Sequence, residues 1–155
     1  VTIKVEGLRE LVAALEQADA RFLPELDEIH RTISRLVVQE AEREAPRRSG
    51  RLASSLRARG SPKSATVAGG GRTVPYFGVQ EFGGTVPKRG RPGAKGPGMR
   101  TRMKPYRGGA GAGVPWWEDE GAGYFLYPAG RRLREHILEL YAEALEDITK
   151  RAFPK

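Results

Sequence analysis

Residues 22–46 read FLPELDEIHRTISRLVVQEAEREAP. Between the two prolines and at their flanks, Phe22, Leu26, Ile29, Ile33, Leu36, Val37 and Ala41 recur at the intervals that put side chains on one face of a helix. Glu25, Glu28, Arg35, Glu42 and Arg43 fall on the other face. Pro24 suits a first helical turn, where its missing N–H has no helical partner to lose. Pro46 stops the helix, because the residue before a proline is pushed out of the helical region. The stretch predicts one long amphipathic helix whose apolar stripe needs another layer to cover it.

The flanking sequence supplies that layer. Thr2–Glu6 alternates, with Ile3 and Val5 on one face, and predicts a short strand. After Gly7, the spacing of Leu8, Leu11, Val12 and Leu15 predicts a first, shorter helix. Beyond the long helix, Arg47-Arg48-Ser49-Gly50 reads as a loop. Leu56 and Ala58 alternate with Ser55, Arg57 and Arg59, and Ala65–Ala68 follows a turn at Gly60-Ser61-Pro62; both predict short strands. The turn Gly69-Gly70-Gly71 leads to Thr73–Phe82, rich in valine and aromatics, which predicts another strand, kept to an edge by Pro75. Tyr124–Tyr127 predicts a last strand or a buried lead-in to a C-terminal helix opened by Pro128. That helix carries Leu133, Ile137, Leu140, Tyr141, Ala144, Leu145 and Ile148 on one face. The order predicts an α+β fold: a small antiparallel sheet with long N-terminal and C-terminal helices packed on it, as one domain over residues 1–155.

The charge is unevenly placed. The 155 residues hold 27 Lys+Arg and 19 Asp+Glu, for a net charge of +8. Eight of the basic residues, Lys88, Arg89, Arg91, Lys95, Arg100, Arg102, Lys104 and Arg107, lie between Gly83 and Trp117 in a stretch without acids. The rest of the chain balances at 19 against 19, so the whole excess belongs to this stretch. Residues 83–123 also hold 12 Gly and 5 Pro in 41 positions, a composition in which neither helix nor central strand should persist. They predict an extended basic arm inserted into an otherwise neutral domain. Such an arm could neutralise phosphates in a salt-sensitive, sequence-blind way. Tyr106, Trp116 and Trp117 could stack on bases or anchor the arm on a protein surface, where aromatics and arginine are favoured; the absence of a helix or strand presenting them as a platform favours the protein surface.

Catalytic signatures are missing. With no cysteine, the chain has no disulfide scaffold, thiolate metal site or cysteine nucleophile. His30 and His136 each stand alone on a helix, without a second histidine one turn away, and read as surface or helix-edge residues. Glu40, Glu42 and Glu44, like Glu118, Asp119 and Glu120, read as solvated or helix-dipole charges. Gly90-Arg91-Pro92-Gly93-Ala94-Lys95-Gly96 lacks the spacing and following helix of a phosphate-binding loop. There is no nucleophile-elbow motif. The expectation is a chain that is not an enzyme and takes no metal or cofactor. No apolar run reaches the roughly 18–20 residues of a membrane span, and no signal-peptide core opens the chain, which points to a soluble protein made inside the cell.

Three segments carry a resemblance. The first is Glu44-Ala45-Pro46 followed by Arg47-Arg48-Ser49-Gly50-Arg51-Leu52, with Ser54-Ser55-Leu56 after it. The second is Tyr76-Phe77-Gly78-Val79-Gln80-Glu81-Phe82-Gly83-Gly84-Thr85, and the third is Tyr124–Ala129 leading into the last helix. In this order they resemble the phage tail-completion family typified by gene product ten of the HK97-type siphophages. That family is marked by Ala-Pro-x-Arg/Lys-Thr/Ser-Gly-x-Leu, then Tyr…Glu-Phe-Gly-Thr, then Phe-Leu-x-Pro-Ala. The sequence departs from the pattern in the extra Gly84 and in the length of the arm.

The resemblance implies a non-catalytic virion protein of the head–tail neck, made in the host cytoplasm. It implies a closed ring of about six or about twelve copies between a DNA-filled head and a tail. Partners would be adjacent neck, tail-terminator or head-completion proteins, with non-specific DNA contact in the lumen and no membrane. The resemblance leaves the arm's role open; by their own chemistry the arm residues Lys88 to Arg107, with Trp116 and Trp117, would bind a partner. Pro46, Ser49, Gly50, Leu52, Tyr76, Glu81, Phe82, Gly83 and Pro128 would be structural. Glu81, the lone acid between Arg51 and Trp117, reads either as an arginine partner or as an exposed strand carboxylate; Tyr76, Phe77 and Phe82 read as packing residues. The alternative from another class is a cellular nucleic-acid-binding protein that uses the basic arm.

Overall fold

A computed structural model of the chain describes residues 2–3, 8–18, 22–83, 85–87, 100–102 and 121–152. The long helix forms as its sequence demands. It is α2, Leu23–Glu44, with a proline in its first turn; α1, Leu8–Ala18, precedes it. Ala45 before Pro46 leaves the helix at φ −60°, ψ 135°, while its N–H still closes on the Ala41 carbonyl. Leu26, Ile33, Val37 and Ala41 are buried along one stripe, together with two polar residues, His30 and Ser34.

Two strands cover that stripe. β2 (Arg57–Ser61) and β3 (Ser64–Ala68) pair antiparallel through a tight turn, and β1 (Thr2–Ile3) adds to the far edge of β3, giving the order β1-β3-β2. Ala65 and Val67 of β3 are buried, as period-two alternation requires. α2 packs across β2 and β3. Its close approach depends on Gly60: a Cβ there would lie 2.5 Å from the Asp27 backbone oxygen. Ser34 Oγ reaches across the same contact, 2.8 Å from both the Arg59 and the His30 carbonyl oxygens. The architecture is α+β, with a small antiparallel sheet and packed long helices.

The expected strand over Thr73–Phe82 is instead a turn followed by a short helix, α3, Phe77–Phe82. Gly70 and Gly71 take positive φ, and Pro75 cannot donate to a ladder. Helical spacing then lets Phe77 meet Phe125 edge-to-face at 5.5 Å while Glu81, one turn on, enters the interior. Tertiary contacts outweigh the strand propensity of the aromatics. Two boundaries also move. Ala53–Ser55 forms a 3-10 turn, so β2 begins at Arg57, and Gly60 and Ser61 belong to the strand rather than to the turn.

Tyr124 and Phe125 are the lead-in, not a strand. The C-terminal helix is two helices, α4 (Leu126–Arg132) and α5 (Arg134–Ala152), joined at Leu133. α5 runs antiparallel to α2, since Arg132, at the end of α4 just before α5 begins, bonds Glu40 and Glu44 near the C-terminal end of α2, while Arg151 near the end of α5 pairs with Glu25 in the first turn of α2. The main core gathers Ile33, Val37, Leu52, Val67, Phe125, Leu126, Ile137 and Tyr141; a second cluster joins Val12 and Leu15 of α1 to Leu26 and Ile148.

Within the arm, a short ribbon stands where only irregular chain was expected. β4 (Thr85–Pro87) pairs antiparallel with β5 (Arg100–Arg102), a two-stranded piece in which every strand is an edge and Pro87 is tolerated.

Candidate assembly interface

The family-like segments fall far apart in sequence, yet the fold brings the second and third together around one carboxylate. Glu81 is fully buried, with 0% of its surface exposed. Phe125 N–H and Leu126 N–H donate to its Oε2 at 3.2 and 3.0 Å, and Tyr127 N–H donates to Oε1 at 3.0 Å. The first amides of a helix lack intrahelical acceptors; Glu81 supplies acceptors for those opening α4 from another helix. Phe82 packs edge-to-face on Tyr127 at 5.2 Å, beside this clamp.

Both reversals at the clamp need glycine. Gly83 leaves α3 at φ 73°, and Gly123 enters the clamp at φ +74°, where a Cβ would overlap the Glu81 carboxylate and the Tyr127 side chain. Arg131 donates to the Ala122 carbonyl at 2.8 Å and ties the incoming chain to α4. Burial, and after it the field of Glu81, pushes the Tyr127 phenol above its usual pKa. The arm therefore leaves and rejoins the body at one fixed point.

Glu81 is thus not the exposed strand carboxylate that its sequence position allowed: it is buried, and it lies in a helix. Tyr76 is 37% exposed and is not a core residue, whereas Phe77 and Phe82 pack as expected. In the first segment, Pro46 follows the end of α2, Ser49 is exposed, Gly50 turns at φ +71° and accepts the Ser54 N–H at 3.0 Å, and Leu52 is buried in the main core. Pro128 lies in the first turn of α4. Of the arm residues, Arg100 and Arg102 lie in β5. Lys88, Arg89, Arg91, Lys95, Lys104, Arg107, Trp116 and Trp117 lie outside the described residues.

His30 is not a surface histidine. It is fully buried beneath β2, edge-on to Tyr141 at 5.4 Å, and neither ring nitrogen makes a hydrogen bond among the described residues. Burial lowers its pKa below 6.5, against the opposing pull of the backbone at Ser61 and Leu26 and of Asp27. His136 is exposed beside Glu139. Among the described residues no group of three or more His, Cys, Asp or Glu could hold a metal ion, and no helix is long and apolar enough to cross a membrane.

Sequence reasoning singled out Glu81 by its isolation but did not find its role as acceptor for the amides that open α4. The signal was available: one acid in an aromatic run, followed much later by Tyr-Phe-Leu-Tyr-Pro, a helix opening without Ser, Thr, Asp or Asn to cap it. Comparison with family models, curated proteins and solved structures gives no match.

Proposed function

We propose that the chain is a non-catalytic subunit of the head–tail neck of a tailed phage. It would assemble into a ring and use its basic arm to engage neighbouring protein. The observation that carries this reading is the Glu81 clamp: it joins the second and third family-like segments and fixes the root of the arm on the body. A basic tail meant only to coat nucleic acid needs no such root. An arm that must meet a neighbour at a set position gains from one, because a fixed origin reduces the ordering entropy left to be lost on docking.

The reading is tested on virions. Gold-labelled antibody against the chain should mark the head–tail junction of phage particles that encode it. Deleting residues 88–107 should leave the body folded and abolish head–tail joining. Absence of label from intact particles, with an antibody shown to bind the native chain, would overturn the reading. Tight, steeply salt-dependent binding of the isolated chain to duplex or RNA would then support the cellular alternative.

A further inference from the structure

Helix α2 is tied to the C-terminal helices at two points, to the end of α4 and to the end of α5, and is open between them. At one end Arg132 bonds Glu40 at 3.3 Å and Glu44 at 2.7 Å. At the other, Arg151 pairs with Glu25 and Asp147 and lies over the Phe22 ring. Between these ties lies an open groove of about 530 Å³. Its floor is apolar, with Ile29, Leu140 and Ala144 half-buried over Ile33 and Ile148.

Its rim is acidic. Four carboxylates, Glu25, Glu28, Glu143 and Asp147, face one base, Arg151. Arg151 is already engaged by Glu25 and Asp147, and among the described residues Glu28 pairs only with the exposed Arg35, at 3.1 Å. Glu143 makes no ion pair among the described residues.

An apolar floor under an acidic rim asks for a segment that is basic and carries apolar side chains. Residues 88–107 are such a segment, with eight Lys or Arg, no acid, and Met99, Met103 and Tyr106 among them. We propose that the α2–α5 groove receives the basic arm of a second copy of this chain. One chain then carries both halves of a head-to-tail contact, a basic arm and an acidic receiving groove. A heterologous contact of that kind closes into a ring when its rotation permits. The inference rests on the ring reading above and names the surface by which neighbours hold one another.

The absence of cysteine makes the test direct. Two full-length variants with different tags, Thr32→Cys in the groove and Met103→Cys in the arm, are mixed at low salt under mild oxidation. A disulfide between the two differently tagged chains is expected, well above the yield from Met103→Cys paired with an exposed Ser49→Cys control. Adding Glu28→Lys and Glu143→Lys to the groove chain should cut the yield about tenfold, as loss of rim complementarity acts on encounter. Circular dichroism should show those surface changes leaving the fold intact.

No preference for Thr32 over Ser49 would overturn the proposal. So would a disulfide found only within single chains carrying both Thr32→Cys and Met103→Cys, since the groove would then take its own arm. The virion label separates this result from the larger reading. Neck label without the mixed disulfide removes the groove contact alone; the disulfide without neck label keeps the contact and removes the neck.

Discussion

Replacing Glu81 with alanine should be among the most damaging single changes in the body. Two of the three amides it accepts, from Phe125 and Leu126, are buried, and the third, from Tyr127, is partly so. A buried N–H left without a partner costs about 1–3 kcal/mol, so the three together come to about 4 kcal/mol after allowing for partial solvation of the third. That is a large share of a total stability of about 5–15 kcal/mol. At a urea slope of about 2 kcal/mol per molar, the midpoint should fall by about 2 M. Glu81→Gln keeps one carbonyl oxygen, able to serve Phe125 and Leu126, but turns an amide N–H2 towards Tyr127; it should lose about half as much. Gly123→Ala should also destabilise, because its Cβ would overlap the Glu81 carboxylate at positive φ. In a Glu81→Ala background much of that overlap disappears, so the two losses should sum to less than their separate values. Equilibrium urea unfolding followed by circular dichroism measures all four chains. A Glu81→Ala loss within about 0.5 kcal/mol, the range of ordinary surface substitutions, would falsify the clamp.

Other sites give sharper or milder outcomes. Gly60→Ala should cost about 1–3 kcal/mol by forcing α2 off β2, read as a lower Tm in thermal unfolding; an unchanged Tm would mean the approach is slack. Tyr141→Phe should be neutral or stabilising at pH 7, because the buried hydroxyl has no hydrogen-bond partner among the described residues. Burial raises the folded-state pKa of Tyr141 above 10.0, so stability from this group is complete below pH 10 and is lost as pH rises beyond it; Tyr141→Phe should flatten that alkaline decline. His30 has the opposite sense. Its folded pKa lies below 6.5, so the unfolded chain takes up the proton first and stability falls as pH drops from 6.5 towards the folded value. Urea titrations across that window should show the fall, and His30→Leu should remove this histidine's share of it.

The sequence was most legible where one periodicity governs a whole element. The α2 stripe, its two prolines and the β2–β3 alternation are local patterns, and each appears close to where it was read. His30 and Ser34 were missed because a polar residue on the stripe is buried only through what lies opposite, here β2 and Tyr141. The failure over Thr73–Phe82 has the same origin. Valine and aromatics favour a strand by themselves, while the helix there is decided by Phe125, Leu126 and Tyr127, more than forty positions away. The groove was invisible for a related reason: periodicity places Glu28 on the outer face of its helix, and nothing local groups it with Glu143 until α2 and α5 lie side by side.

Because Glu81 and Gly123 close the body on itself, the chain between Gly83 and Gly121 can change length at small expense. Loop closure grows only with the logarithm of loop size, so even doubling that stretch costs about 0.6 kcal/mol. Lineages could lengthen, shorten or rewrite it to follow a changing neighbour while the three amides and their carboxylate stay in place. The same property makes it a practical socket: a foreign peptide spliced between those glycines would meet a scaffold whose ends are already joined.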